Sequence, residues 1–246
     1  MNKFFGHFGS KWRLSGKAPP PEHDTIIEPF AGGAGYSVRY GAGKRVILID
    51  ADADTASIWR WLIAASEADV LALPVDEVQA GKDIRELELE RAPMLLIQRW
   101  ITFSSSRGTW RAPPSCRIDR YWSARTTGRI ASQLHQIRNW QVIHGDYRDA
   151  PDIEATWHID PPYIDNAHGH SSNHYGESSI DYQELGAWCK TRRGQVMVHE
   201  QHGAEWLQFE TLNAKAQTSG QKKDGKAKRA HEVWWRNNLP VQPGLF

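Results

Sequence analysis

Cysteine is scarce in this chain, with 2 in 246 residues. Cys116 and Cys189 lie far apart and match no metal-ligand spacing. That excludes a disulfide-rich scaffold and a cysteine metal cluster, and the expectation is two free thiols in a reducing compartment. Long apolar runs are missing too. No stretch approaches the ~18 residues that a membrane helix needs. Residues 1–7 carry no apolar signal-peptide core, so the expected location is cytoplasmic. Excess charge of one sign is also missing. With 30 Lys and Arg against 29 Asp and Glu, the formal net charge is +1, which by itself names no partner. Internal repeats and a second composition regime are both absent, and a single domain over 1–246 is expected.

What is present is uneven. The hydrophobic share is 40%, with 12 Trp, enough to build a sizeable core. Residues 50–90 are mostly acidic. Residues 99–138 are studded with Arg, and 215–229 are rich in Lys. Two basic zones on a neutral chain suggest one surface that faces a polyanion.

Thr25-Ile26-Ile27-Glu28 reads as a β-branched strand. It runs into Pro29-Phe30-Ala31-Gly32-Gly33-Ala34-Gly35 and then a short helix to Tyr40. Strand, glycine loop and helix open a nucleotide-binding α/β unit. A second strand, 45–49, ends on Asp50, and an acidic residue there suits ribose hydroxyls. The loop lacks the third glycine of a dinucleotide fingerprint. Glu28 ahead of it would repel a pyrophosphate but attract an ammonium or sulfonium. The pattern favours S-adenosylmethionine over NAD.

Further along, helices are expected over 55–65 (capped by Asp54 or Thr55), 69–73, 86–101 (broken or restarted near Pro93) and 118–138. Residues 102–117 have loop composition, and Arg107, Trp110 and Arg111 suit phosphate contact and base stacking. The span 102–138 is the candidate target-recognition insertion. A strand over 140–144 ends on Gly145-Asp146-Tyr147. Asp146 there can accept from an adenine amino group or cap a helix, and the local sequence favours the cap. Residues 164–179 are rich in His, Ser, Asn and Gly without ligand spacing, which fits a mobile lid better than a metal site. Asp181 should cap a helix to 190, and 195–198 should be a strand. Residues 213–230, with Lys222, Lys223, Lys226 and Lys228, are expected to form a flexible basic crest. Residues 233–235 would be its return strand.

The strand 156–159 delivers Asp160-Pro161-Pro162-Tyr163. The exocyclic amino group of adenine is a poor nucleophile, because its lone pair is delocalised into the ring. A carboxylate and a backbone carbonyl that accept its two N–H bonds turn it toward tetrahedral geometry. Asp160 and the Pro161 carbonyl are suited to this, because proline fixes φ and with it the carbonyl direction. Tyr163 is suited to stack on a base that has left the duplex.

Phe8-Gly9-Ser10-Lys11, the Glu28-to-Gly33 loop, Asp50, an Arg-bearing insertion and Asp160-Pro161-Pro162-Tyr163 come in an order that resembles the alpha class of DNA N6-adenine methyltransferases. These are Dam-like enzymes, in particular phage-type and restriction-modification members. The resemblance spans nearly the whole chain. It implies a Rossmann-like α/β fold with a seven-stranded mixed sheet, helices on both faces and a small insertion. It implies S-adenosylmethionine as cofactor and double-stranded DNA as partner; the lack of a long apolar run leaves no membrane expected, and no obligate protein partner is inferred. Lys11 would contact the methionine end of the cofactor. Glu28, Phe30 and Gly32 would line its loop, and Asp50 would hold the ribose. Asp146 falls where the family often contacts the adenine amino group, which reverses the local preference for a cap. His7 stands near the cofactor where Tyr or Trp is common in the family. The same chemistry on RNA, and a catalytically silent nucleic-acid binder, are the alternative expectations.

Overall fold

The computed structural model describes residues 1–7, 16–102, 109–112, 114, 116–165, 170–171, 180–215 and 231–237. In chain order the strands are β1 (Thr25–Glu28), β2 (Arg45–Asp50), β3 (Gln141–His144), β4 (Ala155–Ile159), β5 (Ile164–Asp165), β6 (His170–Ser171), β7 (Gly194–Gln201), β8 (Glu210–Lys215) and β9 (His231–Arg236). The helices are α1 (Gly35–Tyr40), α2 (Ala53–Ala64), α3 (Glu67–Leu71), α4 (Arg91–Ile101), α5 (Ala124–Ala131) and α6 (Tyr182–Thr191).

Seven strands form one mixed sheet in the order β3-β2-β1-β4-β7-β9-β8. The strands β3, β2, β1, β4 and β7 are all parallel, whereas β9 runs antiparallel to both β7 and β8. β5 and β6 make a separate two-stranded ribbon. The chain is therefore α/β with a Rossmann-like sheet. Among the described residues, no helix is long and apolar enough to cross a membrane.

The alternation of strand residues builds a core on each face. Ile26, Val46 and Leu48 turn to one face with α1, α2, α4 and α5 residues such as Tyr36, Trp59, Leu96 and Ile130. Ile27, Ile47, Ile49, Trp157 and Val198 turn to the other, under Leu185 and Cys189 of α6. Each fully buried aliphatic side chain contributes about 1.5–3 kcal/mol. Both cysteines are free, and burial pushes the Cys189 thiol up to about 12.

Several boundaries differ from the sequence reading. α2 starts earlier, because Asp52 takes the cap and accepts from the Asp54 amide and the Thr55 hydroxyl. α3 is shifted back by a capping box between Ser66 and Asp69. The expected helix over 118–138 is broken into a 3-10 turn, α5 and a second 3-10 turn. Hydroxyl side chains compete for the backbone there, with Thr126 bonded to the Tyr121 carbonyl and Thr127 to that of Ala124. Pro93 does not break α4, because it sits in the first turn, where no intrahelical N–H is needed. The first residues of the expected crest, 213–215, belong to β8, and 216–230 lie outside the described residues.

Candidate active site

Consecutive connections diverge between β1 and β4. β1 leads by α1 to its neighbour β2, while the chain returns from β3 across the sheet to β4. Ligand crevices of open α/β sheets form outside the strand ends at such a switch point. The glycine loop lies there after β1, and Asp160-Pro161-Pro162-Tyr163 lies there after β4.

The glycine loop is held from several sides. The Gly32 amide donates to the Asp50 carboxylate at 2.7 Å, and the Gly32 carbonyl accepts from Trp59 Nε1 at 2.8 Å. Gly32 has φ of 46°, and a Cβ there would lie 3.0 Å from Nδ1 of His7. Both the left-handed backbone and the close approach of His7 require glycine. Ala34 is also left-handed, at φ 45°, a strained conformation for a residue with a side chain. Phe30 turns away from the loop and stacks on Tyr147, with centroids 5.7 Å apart.

Asp50 accepts from two backbone amides, those of Gly32 and of Asp52, the latter at 2.9 Å. Burial raises its carboxyl to about 6, and the Asp52 charge adds to this. The two amide bonds and Arg99 pull the other way without cancelling the effect.

Glu28 is only 2% exposed. One oxygen accepts from the Ser37 amide at 2.6 Å, at the start of α1, and the other lies 3.3 Å from Nδ1 of His158. His158 is equally buried. Its ring stacks on Tyr36 (4.7 Å, 10°) and tilts against His199 at 4.8 Å. Glu28 is thus a buried tie between β1, α1 and β4 rather than a carboxylate open to solvent. His158 stands two residues before Asp160, which follows the end of β4.

At the corner itself, the Tyr182 hydroxyl donates to the Pro162 carbonyl at 2.5 Å. Tyr182 opens α6, and Asp181 caps that helix by accepting from the amides of Gln183 and Glu184, as the sequence suggested. Asp146 caps the 3-10 turn Tyr147–Asp149 in a reciprocal capping box and pairs with Arg148 at 2.7 Å. The local reading of Asp146 as a cap is what this arrangement realises.

Compared with known proteins, the chain matches no family model and no curated sequence.

The fold therefore brings His7, Glu28, Gly32 and Asp50 together around one loop, with Phe30 on its far side. Asp160, Pro161, Pro162 and Tyr163 follow the next strand of the sheet. Trp110 and Arg111 belong to a different cluster. Arg111 Nε lies 3.3 Å from Asp83, which Arg85 also grips at 2.6 Å, and the Arg85 guanidinium sits over the Trp110 ring. Arg85 first, then Arg111, hold the Asp83 carboxyl well below the usual range. Lys11, Arg107, Lys222, Lys223, Lys226 and Lys228 lie outside the described residues.

Sequence reasoning did not assign Trp59, His158 or Tyr182. The signal for His158 was a titratable residue inside an otherwise apolar strand. Trp59 reads only as part of an amphipathic face, and nothing local marks Tyr182.

Proposed function

We propose that this chain transfers a methyl group from S-adenosylmethionine to the exocyclic N6 of adenine in DNA. The observation that carries the proposal is the switch point of the sheet, with the glycine loop after β1 beside the Asp50 strand end on one side and Asp160-Pro161-Pro162-Tyr163 after β4 on the other. The residues present fit the cofactor. Asp50 is a carboxylate acceptor at the end of the second strand, tied to the glycine loop through the Gly32 amide, and His7 lies against the same glycine. His7, Gly32 and Asp50 would hold it, with Lys11 at the methionine end. When bound, S-adenosylmethionine supplies an activated methyl group: the N–C bond forms as the S–C bond breaks, and sulfur keeps the electron pair as a neutral thioether.

The protein's own share is orientation and charge. Asp160 and the Pro161 carbonyl accept the two amino N–H bonds and free the nitrogen lone pair. As the nitrogen gains its new bond it gives up one proton, for which Asp160 is the acceptor the corner offers. Tyr163 stacks on the flipped base and replaces part of the lost duplex stacking. The Pro162 carbonyl is already engaged by Tyr182, so it does not compete for the amino group.

The test is transfer of isotope-labelled methyl from S-adenosylmethionine to duplex DNA, with the product nucleoside identified by mass spectrometry. RNA is offered in parallel. Label found only in RNA would move the substrate, and no transfer would leave the silent-binder alternative.

A further inference from the structure

Two cations meet on one indole at the opposite end of the N-terminal segment. Lys3 Nζ lies 5.2 Å from the centre of the Trp100 ring, and the Arg129 guanidinium lies 5.1 Å from it. Lys3 is held from both sides. The Asn2 backbone makes a reciprocal pair with the Gln133 amide, at 2.9 Å in each direction. Phe4 is fully buried, and its carbonyl accepts from Trp100 Nε1 at 3.0 Å. Gln133 comes four residues after Arg129, just past the end of α5, so the same short stretch positions both cations.

Nothing in this frame answers the charge. Among the described residues, no carboxylate pairs with Lys3 or Arg129. Nε and Nη2 of Arg129 are buried and donate to no acceptor. Arg129 is in the last turn of α5, where a cation suits the helix dipole, yet those two atoms bond none of the terminal carbonyls. The cation–π contacts hold the two groups over the ring but satisfy no N–H donor. Partial burial, and then the Arg129 charge, depress the Lys3 ammonium, and burial depresses Arg129. Two like charges held together cost stability unless an anion joins them.

We propose that Lys3, Arg129 and Trp100 form an oxyanion clip that takes a phosphate group. Its place in the fold suggests the source. Phe4 and Phe5 both pack on Trp59, whose indole holds the Gly32 carbonyl, and His7 packs on Gly32 itself. From Lys3 to His7 is four residues, at most ~14 Å of chain. A nucleic-acid backbone gripped at Lys3 would thus be tied through one short segment to the glycine cradle. The phosphate site stands on this geometry alone, and its nucleic-acid source rests on the methyl-transfer reading.

The experiment uses the full chain and needs no methyl transfer. Binding of a fluorescent 20-base-pair duplex is measured across salt for wild type, Lys3→Met, Arg129→Gln and the double variant. Inorganic phosphate is titrated separately while the Arg129 Nε–H resonance is followed. Each single variant should lower the slope of log K against log salt by about 1, and the double variant by about 2. The thermal midpoint should hold or rise, because a repulsion is removed. Phosphate should shift the Arg129 resonance in wild type, and that shift should vanish in Lys3→Met. A phosphate response with an unchanged duplex slope supports the clip with free phosphate as its source. An unchanged slope and an unmoved resonance overturn it. A lowered thermal midpoint beside that unmoved resonance would make the pair structural. Absence of methyl transfer in the parallel assay would count against the enzyme reading and leave these readouts intact.

Discussion

Tyr182 donates its hydroxyl to the carbonyl of Pro162 at 2.5 Å, which fixes the second proline of the corner from the first turn of α6. The corner's direction is therefore set by a helix that follows it by some twenty residues, as well as by its own φ angles. Tyr182→Phe should lower turnover about five-fold, the worth of one hydrogen bond, and leave cofactor affinity unchanged. Steady-state kinetics with separate kcat and KM values check this. A rise in cofactor KM with unchanged kcat would assign Tyr182 elsewhere.

Gly32→Ala should damage cofactor binding and stability together. The new Cβ meets both a left-handed backbone and the His7 ring, for a cost of about 1–3 kcal/mol. Thermal unfolding and cofactor calorimetry on the same preparation read both effects. His7→Ala relieves only the contact, so in the double variant it should recover part of the loss.

Asp50 makes stability depend on pH in an uncommon direction for a carboxylate. Its carboxyl is raised to about 6 in the folded state by burial. Between the ordinary Asp value, about 3.9, and that point the folded state binds the extra proton. Its contribution to stability therefore falls as pH rises through the window and stays at its lowest above it. Denaturant unfolding at intervals from pH 4 to 7 should show this component in wild type and not in Asp50→Asn. On the proposed function Asp50 takes the ribose hydroxyls and works best ionised, so cofactor affinity should weaken below about pH 6 in wild type and be flat in the variant.

Asp146→Ala should cost about 1 kcal/mol of stability, because the residue caps the turn after β3. Denaturant titration checks the loss. A fall in cofactor affinity beyond that cost would assign it the adenine contact as well.

The parts of this fold that were legible in the sequence are those carried by local chemistry. The β-branched runs of β1 and β2, the glycine turn between them, and the Asp181 cap all act within a few residues. What was not legible depends on distant neighbours. Glu28 reads as a carboxylate facing a ligand, yet His158 and Ser37 absorb it once β4 lies beside β1. The apolar positions Ile130, Leu134 and Ile137 read as one long helix, yet α5 ends at Ala131, and Gln133 just beyond it bonds the backbone of Asn2. Trp110 and Arg111 read as a nucleic-acid contact, and nothing local showed that Arg111 also reaches Asp83, six percent exposed, beside Arg85. Propensity and spacing cannot reveal a partner thirty residues away.

The most direct measurement of the central claim is label transfer from S-adenosylmethionine to duplex DNA by wild type and by Asp160→Ala. The account predicts N6-methyladenine in the wild-type digest. It predicts none above background with Asp160→Ala, although that variant still binds the cofactor with near-wild-type affinity. Wild-type-level N6-methyladenine from the Asp160→Ala protein would contradict it, as would a properly folded wild type that binds cofactor and DNA and leaves every adenine unmodified.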